Sequence, residues 1–322
     1  MNWKLPKVYA VQHKDQSIRA ASRSGGIFTA LSDWVLENKG IIYGCVLDNN
    51  FQAIHIRADN HESRDRMRGS KYIQSKVANT YKNVKNDLSV GRNVLFSGTS
   101  CQVAGLKQYL GKEYENLLCV DIVCHGVPSP VVWKEYIKWQ ESKTKNTVVG
   151  IDFRNKRDFG WREHVETLEL SNGKSVSSTV FTKIFYGHAA IRPCCYECLF
   201  KSIMHPGDIT IADYWGIEKA APEFDDNKGV SLVLVNNDRG MMVFENINDR
   251  IRWKETLIKD SLQPPLKAPF SKPECREQFW KDFKTKNFDY IAKKYGEDNL
   301  KGKLKMKLRL IKLRLIKLRN MK

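Results

Sequence analysis

The chain has 322 residues, with 54 Lys and Arg against 36 Asp and Glu, a formal net charge of +18. Apolar residues make up 42% and aromatic residues 11%, which excludes a wholly disordered chain, and the length suits one large or two smaller domains. No apolar run approaches the roughly 18 residues of a transmembrane helix, and the first residues lack the apolar core of a signal peptide. We therefore expect a cytoplasmic protein.

More than half of the excess positive charge lies at the end of the chain. Residues 301–322 contain ten Lys and Arg and no acidic residue, so residues 1–300 carry 44 basic and 36 acidic residues, a net charge of +8. On a helix, five apolar residues of this tail would form one stripe flanked by basic side chains: Leu304, Leu308, Ile311, Leu315 and Leu318.

Two interpretations of this tail stay open. A basic amphipathic helix binds an anionic membrane surface, here the inner face of the membrane, whereas a solvated tail would pack on the body or on a partner. The body lacks the clustered basic and aromatic face that nucleic-acid sites need, so we expect no nucleic-acid partner.

In chain order, predicted strands and helices alternate over the first half of the sequence. They are a helix from about Ile27 to Asn38, a strand from Ile41 to Leu47, a strand from Asn93 to Phe96 followed by a helix through Leu110, a strand from Leu117 to Val123, and a helix from Pro130 to about Trp139. This order indicates an α/β fold with a mostly parallel core. Cys101 and Cys124 follow two of the strands, at the edge where open α/β sheets place their sites.

After Gly150 the predicted elements become shorter. The strand candidates are Val148 to Phe153, His164 to Leu170, Ser175 to Val180, Asp208 to Ala212 and Gly229 to Asn236. Residues 171–174 read as a hairpin turn between the second and third of them. We therefore expect an inserted β-rich segment around residues 151–190.

Eight cysteines occur, and in a cytosolic chain they are more often ligands, catalytic thiols or core residues than disulfides. Cys45 and Cys119 lie within apolar strands, where a free cysteine is usually a small core residue. Cys275 lies in a charged context and is assigned no role.

Four other cysteines have the surroundings of ligands. Cys195 and Cys198 form a Cys-x-x-Cys pair, and Cys101 and Cys124 lie in polar, glycine-rich loops. Four such thiolates could hold an iron–sulfur cluster or a zinc ion. A thioredoxin-like dithiol is disfavoured because that motif opens a helix directly after a strand. The spacing alone leaves a cluster, a structural zinc ion and unpaired thiols open.

Two glycine-containing loops are candidate binding sites. Ser24-Gly25-Gly26 precedes a helix and would expose backbone N–H groups to a phosphate, although an ordinary serine-capped helix has the same pattern. In the second loop, residues 69–72, a glycine precedes Ser70, Lys71 and Tyr72 and would let the backbone approach a ligand closely. The competing interpretation of this loop is a surface turn. Neither loop matches a standard dinucleotide fingerprint.

Six stretches, in order, resemble the coenzyme F-420 hydrogenase/dehydrogenase β-subunit family, including bacterial members often found among polysaccharide-biosynthesis proteins. They are Ser24-Gly25-Gly26, Gly69-Ser70-Lys71-Tyr72, Ser97-Gly98-Thr99-Ser100-Cys101-Gln102, Cys124-His125-Gly126-Val127-Pro128-Ser129, the segment from Arg192 to Cys198, and the segment from Asp208 to Gly216. Together they cover about residues 20–240.

The resemblance implies a flavoprotein that binds FAD and one 4Fe-4S cluster and passes electrons between an iron–sulfur donor and an organic hydride carrier. The residues that it implies for the cluster are Cys101, Cys124, Cys195 and Cys198, and those for the flavin are Ser24, Gly25, Gly26, Ser70, Lys71 and Tyr72, with Gly98 and Thr99 nearby. The chemistry it implies is centred on the flavin, so no catalytic side chain is assigned; Lys71 is only a candidate, because its charge would offset that of a reduced flavin.

The sequence departs from the family pattern at three places. Cys194 stands where relatives commonly have another residue, and Ser100 stands where they often have proline. Many relatives also carry an N-terminal ferredoxin-like domain with repeated Cys-x-x-Cys-x-x-Cys runs, which this sequence lacks. The expected partners are therefore a ferredoxin-like electron donor or partner subunit and a small-molecule hydride acceptor.

These inferences divide the chain by function into three parts. Residues 1–150 are the expected flavin-binding α/β part, 151–300 a β-rich segment with the cluster-binding continuation of the core, and 301–322 the basic amphipathic tail. The main hypothesis is an FAD- and iron–sulfur-dependent oxidoreductase. The alternative is a zinc-stabilised, non-enzymatic binding protein attached to a membrane or to a glycan-assembly complex.

Overall fold

The structure, a computed structural model, describes residues 5–302, 304–305 and 308. By its internal contacts the chain divides into two units. The first unit comprises Met1–Gly126 and Cys194–Phe270, and the second comprises Val127–Pro193 and Ser271–Lys322. Most of the predicted amphipathic tail, including Ile311, Leu315 and Leu318, lies outside the described residues. The proposed functional division at residues 150 and 300 stays a prediction.

Strands and helices follow one another through the first half of the chain in this order: β1 (Lys7–His13), α1 (Gln16–Ala21), α2 (Ile27–Glu37), β2 (Ile41–Leu47), β3 (Ala53–Ala58), α3 (His61–Asp65), α4 (Thr80–Ser89), β4 (Val94–Thr99), α5 (Ser100–Leu110), β5 (Leu117–Ile122), α6 (Pro130–Thr144) and β6 (Val148–Asp152). The second half continues with α7 (Lys156–Phe159), β7 (Glu166–Leu170), β8 (Ser175–Ser178), α8 (Val180–Tyr186), β9 (Ile209–Asp213), α9 (Ile217–Ala220), β10 (Ser231–Val235), α10 (Asp238–Asn246), β11 (Ile251–Thr256), α11 (Ile258–Ser261), α12 (Arg276–Thr285) and α13 (Phe288–Tyr295). Short 3₁₀ helices occur at Pro193–Cys195, Pro222–Phe224 and Pro264–Leu266.

The first unit is built on an eight-stranded sheet with the order β11-β1-β10-β9-β5-β4-β2-β3. The neighbours β2, β4, β5 and β9 are mutually parallel, whereas β1, β3, β10 and β11 join the sheet through antiparallel pairs. Because β1 and β9 are both antiparallel to β10, β1 runs in the same direction as the parallel strands. We call the edge where β1, β2, β4, β5 and β9 end the carboxyl edge. The predicted α/β class with a mostly parallel core is confirmed.

Apolar side chains on both faces of the sheet explain why these segments are strands. Residues of β2, β4 and β5 alternate between two cores, one beneath α2 and α10 and the other beneath α4 and α5. Strand β2 is found with the predicted bounds, and β4 and β5 begin and end within three residues of the prediction. The central strands read as apolar runs because they are covered on both sides.

The second unit contains a three-stranded antiparallel sheet, β6-β7-β8, so the predicted β-rich segment is present. The hairpin between β7 and β8 turns at 171–174, where Gly173 has a φ of +77° that favours glycine. Aromatic rings fill the core of the second unit: the ring centroid of Trp133 lies 4.8 Å from that of Phe153 and 4.7 Å from that of Phe181.

A completely buried carboxyl group lies inside this second unit. Glu166, on β7, is fully buried and accepts hydrogen bonds from the Tyr136 hydroxyl at 3.2 Å, the Phe181 N–H at 2.9 Å and the Thr182 hydroxyl. Phe181 and Thr182 belong to the first turn of α8. Glu166 therefore occupies the place of an N-terminal cap for that helix, although it comes from a neighbouring strand.

Among the residues with described coordinates, no helix is both long and apolar enough to cross a membrane.

Candidate functional site

Two predicted ligands lie side by side at the carboxyl edge. Strands β4 and β5 are parallel neighbours whose last residues, Thr99 and Ile122, are paired in register. Cys101 is the second residue of α5, directly after β4, and Cys124 follows β5 by two residues. The prediction that both cysteines lie where parallel strands end is confirmed.

The fold brings further cysteines to the same place. Burial raises the pKa of the Cys124 thiol to about 11, Lys201 lowers it, and the nearby thiols of Cys101 and Cys195 raise it further. Burial lowers the pKa of Lys201, while Cys124, Cys198 and Cys195 favour its charged form. Each of the four predicted ligands therefore interacts electrostatically with Cys124, with Lys201 or with both. We call these four cysteines, Cys101, Cys124, Cys195 and Cys198, the thiol group.

Lys201 is a buried cation at this thiol group. Its ammonium donates a hydrogen bond to the carbonyl oxygen of Cys124 and lies 5.0 Å from the ring centroid of Phe270. The Phe270 ring in turn lies 4.2 Å from that of His125. A buried ammonium beside several thiols stabilises negative charge on them.

The thiol group is not a ready site for one metal ion. In the described part of the chain, no three or more His, Cys, Asp or Glu side chains are grouped so that they could hold a metal ion. The four cysteines of the thiol group are among these side chains.

Cys101 is held in place by the start of α5. Thr99 and Gln102 form a reciprocal capping box, and the Thr99 N–H donates to Gln102 Oε1 at 3.0 Å. Thr99 Oγ1 also lies 3.1 Å from the Cys101 sulfur. Gly98 precedes this turn, and a Cβ there would come within 3.0 Å of Gln102 Oε1. The segment from Gly98 to Gln102 thus fixes a thiol at a helix N-terminus, which favours negative charge.

A buried acid–histidine pair lies beneath the same edge. Asp121 Oδ2 is 2.9 Å from His205 Nδ1, and Asp121 Oδ1 accepts a hydrogen bond from the Thr210 hydroxyl at 2.6 Å. The exposed fractions of the two side chains in the pair are 0% and 1%. Ser100, the neighbour of Cys101, lies 3.1 Å from the same His205 nitrogen. Within the described residues His205 Nε2 is buried and has no hydrogen-bond partner.

Lys71 is bonded to its own loop. Its ammonium donates to the carbonyl oxygens of Met67 and Arg68, each at 2.9 Å, and to those of Arg66 and Gly69 at 3.2 and 3.1 Å. Burial lowers the pKa of Lys71 to about 8, and Cys45 opposes this shift. Lys71 therefore holds the 66–69 loop together, and it contributes positive charge near the end of β2.

Cys45 and His55 face each other across β2 and β3 near Lys71. Burial raises the pKa of the Cys45 thiol, and Lys71 and Ser75 lower it. Burial lowers the pKa of His55 to about 4, and His55 Nε2 lies 3.1 Å from the Ser97 carbonyl oxygen. His55 Nδ1 is buried without a partner in the described part of the protein. Cys45, assigned to the core from sequence, thus lies beside a polar group instead.

The Ser24-Gly25-Gly26 loop packs against two strands. The Ser24 hydroxyl donates to the Val230 carbonyl oxygen at 2.6 Å, and the Gly25 N–H donates to Ser231 Oγ at 3.0 Å. Gly26 precedes α2 with a φ of +96°, a conformation that favours glycine. These contacts explain the glycines by packing, and the role of the loop toward a flavin stays a prediction.

Three charged or titratable residues of this region were not predicted from sequence. Asp121 had a visible signal, because a carboxylate within the apolar run of β5 needs a buried partner. Lys201 follows Cys198 by three residues, and this spacing alone does not predict that the lysine is buried beside the thiols. His205 has no local signal, because its partner Asp121 lies 84 residues away.

Comparisons with known proteins agree with this architecture. A family model for the C terminus of the coenzyme F420 hydrogenase/dehydrogenase β-subunit matches residues 91–260. No curated protein sequence matches the chain. Among solved structures, the F420-reducing NiFe hydrogenase complex from Methanosarcina barkeri, studied by xenon derivatization, contains a chain with a TM-score of 0.54 and 18% identity, over 78% of this chain and 82% of that one. That likeness shows a shared fold.

The family match spans more than half of the 322 residues and includes all four cysteines of the thiol group. The chain therefore belongs to the coenzyme F420 hydrogenase/dehydrogenase β-subunit family.

Proposed function

We propose that this chain is an iron–sulfur flavoprotein oxidoreductase that uses FAD and one 4Fe-4S cluster. In this proposal it passes electrons between a ferredoxin-like partner, or a partner subunit, and an organic hydride carrier or substrate. The observation that supports it most is the convergence of Cys101, Cys124, Cys195 and Cys198 around one buried lysine at the carboxyl edge.

The donor chemistry of the thiol group fits a cluster. Four thiolates are the usual ligands of a 4Fe-4S cluster, which is larger than a single ion and accepts thiols that stand further apart. Four cysteine thiols are also a donor set for a structural zinc ion, and membership of the family favours the cluster over this alternative. Lys201 and the N-terminus of α5 would offset the negative charge of four thiolates.

The polar atoms around the thiol group fit a flavin. His205 Nε2 and His55 Nδ1 are buried without partners in the described chain, so each could bind a group that the protein does not supply. Gly69 has open space around it, and Ser70 is exposed, so that loop leaves room for a ligand. The residues proposed to hold FAD are Ser24, Gly25, Gly26, Ser70, Lys71, Tyr72, Gly98 and Thr99.

Bound FAD would supply two-electron chemistry and the cluster one-electron chemistry. The protein's own contribution is to orient, to set charge and to hold protons. Asp121 accepts from His205 Nδ1–H, which leaves His205 Nε2 as the atom that takes or gives a proton. Lys71, with its pKa near 8, would place a positive charge beside a reduced, anionic flavin.

Anaerobic purification tests the cofactors directly. We expect brown protein that contains iron and sulfide in equal amounts and releases FAD on denaturation. The decisive pair of variants is Cys198→Ser, which should lose iron, and Cys194→Ser, which should keep it because Cys194 is an exposed neighbour outside the thiol group. Colourless protein with one zinc ion per chain would refute the proposal. Full iron content in Cys198→Ser would refute the ligand assignment alone.

The electron path is tested with the reconstituted protein. Reduced ferredoxin should bleach the flavin absorption of the wild type, and the Cys198→Ser protein loaded with FAD should stay oxidised. A panel of hydride acceptors then identifies the substrate by the acceptor that reoxidises the flavin. Equal rates of flavin reduction in both proteins would remove the cluster from the path.

We also propose that residues 301–322 hold the protein against the inner face of an anionic membrane. Ten basic residues in this stretch, at about 1 kcal/mol each near the surface, would give strong binding at low salt. Full-length protein should sediment with anionic vesicles, and the chain ending at residue 300 should not. Sedimentation of the shortened chain would contradict the proposal.

A further inference from the structure

His55, on β3, lies beside two of the segments proposed to hold FAD. Its Nε2 is 3.1 Å from the carbonyl oxygen of Ser97, which directly precedes the Gly98–Thr99 segment. Burial lowers the pKa of His55 to about 4, and the charge of Lys71, in the 69–72 loop, lowers it further. None of the six stretches that resemble the family includes His55, so its role has to be argued from the structure.

The imidazole ring of His55 is held in one orientation. It stacks on Phe96 with 5.4 Å between the ring centroids and 11° between the ring planes. The backbone N–H of His55 donates to the Lys76 carbonyl oxygen at 3.0 Å, and Cys45 is its partner residue on β2. Only 9% of the residue is exposed, so both ring nitrogens have fixed directions inside the protein.

The contact with Ser97 determines which ring nitrogen carries the hydrogen. A carbonyl oxygen only accepts hydrogen bonds, so His55 Nε2 is protonated and donates to Ser97. With a pKa of about 4 the ring is neutral near pH 7, which leaves Nδ1 with its lone pair. In the described part of the chain this Nδ1 is buried and has no hydrogen-bond partner. His55 therefore presents a buried acceptor that lacks a donor.

The neighbouring side chains direct their hydrogens elsewhere. The ammonium of Lys71 has three hydrogens, and four carbonyl oxygens of its own loop accept them. The Cys45 thiol donates to the carbonyl oxygen of the next residue at 3.8 Å, and the Ser75 hydroxyl forms a hydrogen bond with that thiol. A buried acceptor without a donor costs about 1–3 kcal/mol, so a donor from a bound molecule would recover that free energy.

We propose that His55 Nδ1 accepts a hydrogen bond from the isoalloxazine ring or the ribityl chain of FAD. The ring carries an N–H between two carbonyl groups and the ribityl chain carries hydroxyl groups, so both parts supply donors. The pyrophosphate supplies only acceptors at neutral pH, and its oxygens would repel the Nδ1 lone pair. The inference rests on the proposed function and names the part of the cofactor that this position selects.

The segment bonded to His55 leads to the thiol group. Three residues separate Ser97 from the predicted ligand Cys101, and Thr99 Oγ1 lies 3.1 Å from the Cys101 sulfur. Electron transfer slows steeply with distance, so the redox-active ring of FAD would lie closer to a cluster at this place than the adenine does. This favours the ring and the ribityl chain over the adenine amino group as the donor to His55.

Two substitutions separate the binding of FAD from packing. Asn places its side-chain oxygen near the position of Nδ1, so His55→Asn keeps the acceptor but loses the bond to Ser97. Gln places its amide group near the position of Nε2, so His55→Gln keeps that bond but loses the acceptor. Both variants lose the stacking on Phe96 to a similar extent, which makes each the control of the other.

Fluorescence titration of the flavin-free full chain with FAD measures the contact. His55→Gln should bind FAD about tenfold more weakly than the wild type, whereas His55→Asn should stay within about threefold of it. Without flavin the order should reverse, and His55→Gln should have the higher melting temperature because it keeps the bond to Ser97. A merely structural role would give the same order in both measurements.

Fragments of FAD identify the donor. Riboflavin contains the ring and the ribityl chain, lumiflavin contains only the ring, and ADP contains neither. A loss of affinity in His55→Gln for both flavins would assign the ring N–H, and a loss for riboflavin alone would assign a ribityl hydroxyl. The affinity for ADP should be the same in the wild type and in both variants.

The outcomes that would overturn the contact differ from those that would overturn the proposed function. Equal FAD affinities in the two variants, weaker binding by His55→Asn than by His55→Gln, or a loss of affinity for ADP would each overturn the contact alone. A wild type that binds none of FAD, riboflavin and lumiflavin would refute the flavoprotein proposal and this contact together.

Discussion

Replacing Glu166 with Gln should flatten the dependence of the second unit's stability on pH. Burial raises the pKa of this carboxyl to about 7 from its ordinary 4.5, although hydrogen bonds from the Thr182 hydroxyl and the Phe181 N–H lower it. The folded chain therefore keeps a proton that the unfolded chain releases. This contribution to stability is fully present below about pH 4.5 and is lost as the pH rises through about 7.

The two pKa values set the size of the effect. At 1.36 kcal/mol per pKa unit, the full difference corresponds to about 3 kcal/mol. Between about pH 5.5 and pH 8, the same values lower the free energy of unfolding of the wild type by about 2 kcal/mol. Gln also presents an amide N–H₂ to donors at the start of α8, which costs about 1 kcal/mol at every pH. Because this cost is the same at every pH, it does not change how the free energy of unfolding depends on pH.

Urea unfolding at these two pH values, followed by tryptophan fluorescence, measures the difference. Trp133, Trp139 and Trp161 report on the second unit. The control is Glu169→Gln, an exposed carboxyl on the same strand, which should keep the pH dependence of the wild type. If Glu166→Gln keeps that dependence, or if Glu169→Gln loses as much of it, the assignment of the effect to the buried carboxyl is wrong.

Two further predictions concern the glycine and lysine loops. Gly25→Ala would place a Cβ 2.1 Å from a backbone oxygen of β1 and should therefore lower the melting temperature strongly. The control is Gly69→Ala, which should lower it much less, because the new Cβ meets open space and the only cost is the backbone strain of a φ of +80°, about 1 kcal/mol. Equal losses of melting temperature in the two variants would contradict the packing role of Gly25. Lys71→Met removes four bonds to the 66–69 loop and should speed tryptic cleavage after Arg68, whereas Lys76→Met, an exposed lysine bonded to a side-chain amide, should not. Unchanged cleavage in Lys71→Met would show that the loop is held by other contacts.

The parts of the fold that were predictable are those with a local pattern. Strand β2 and helix α2 before it read clearly, because the apolar side chains of the strand are buried on both faces and those of the helix on one. Strand β11 was not predicted, because most of its residues are exposed and its only described strand partner is β1, more than 230 residues earlier. Strand β1 was missed although it is almost entirely buried, because charged and polar residues close behind it resemble a loop.

For the site, the cysteines were predictable and their surroundings were not. Residue type and strand ends point to Cys101 and Cys124 without knowledge of the fold. Lys201 and His205 acquire their roles only when residues 194–270 pack beside β5, which no short-range pattern encodes. Cys45 was misjudged for the same reason, because Lys71 reaches it from a later loop.

The position of β1 has a consequence for the protein during its synthesis. Of the strands of this sheet, β1 is synthesised first, yet both of its partners, β10 and β11, lie between residues 231 and 256. Until then, its apolar residues and unpaired backbone edge have no place in the sheet, and such edges promote association between chains. A prematurely terminated chain that ends before β10 should therefore collect in aggregates, and the nascent chain is a natural client for a chaperone that shields its N-terminal segment.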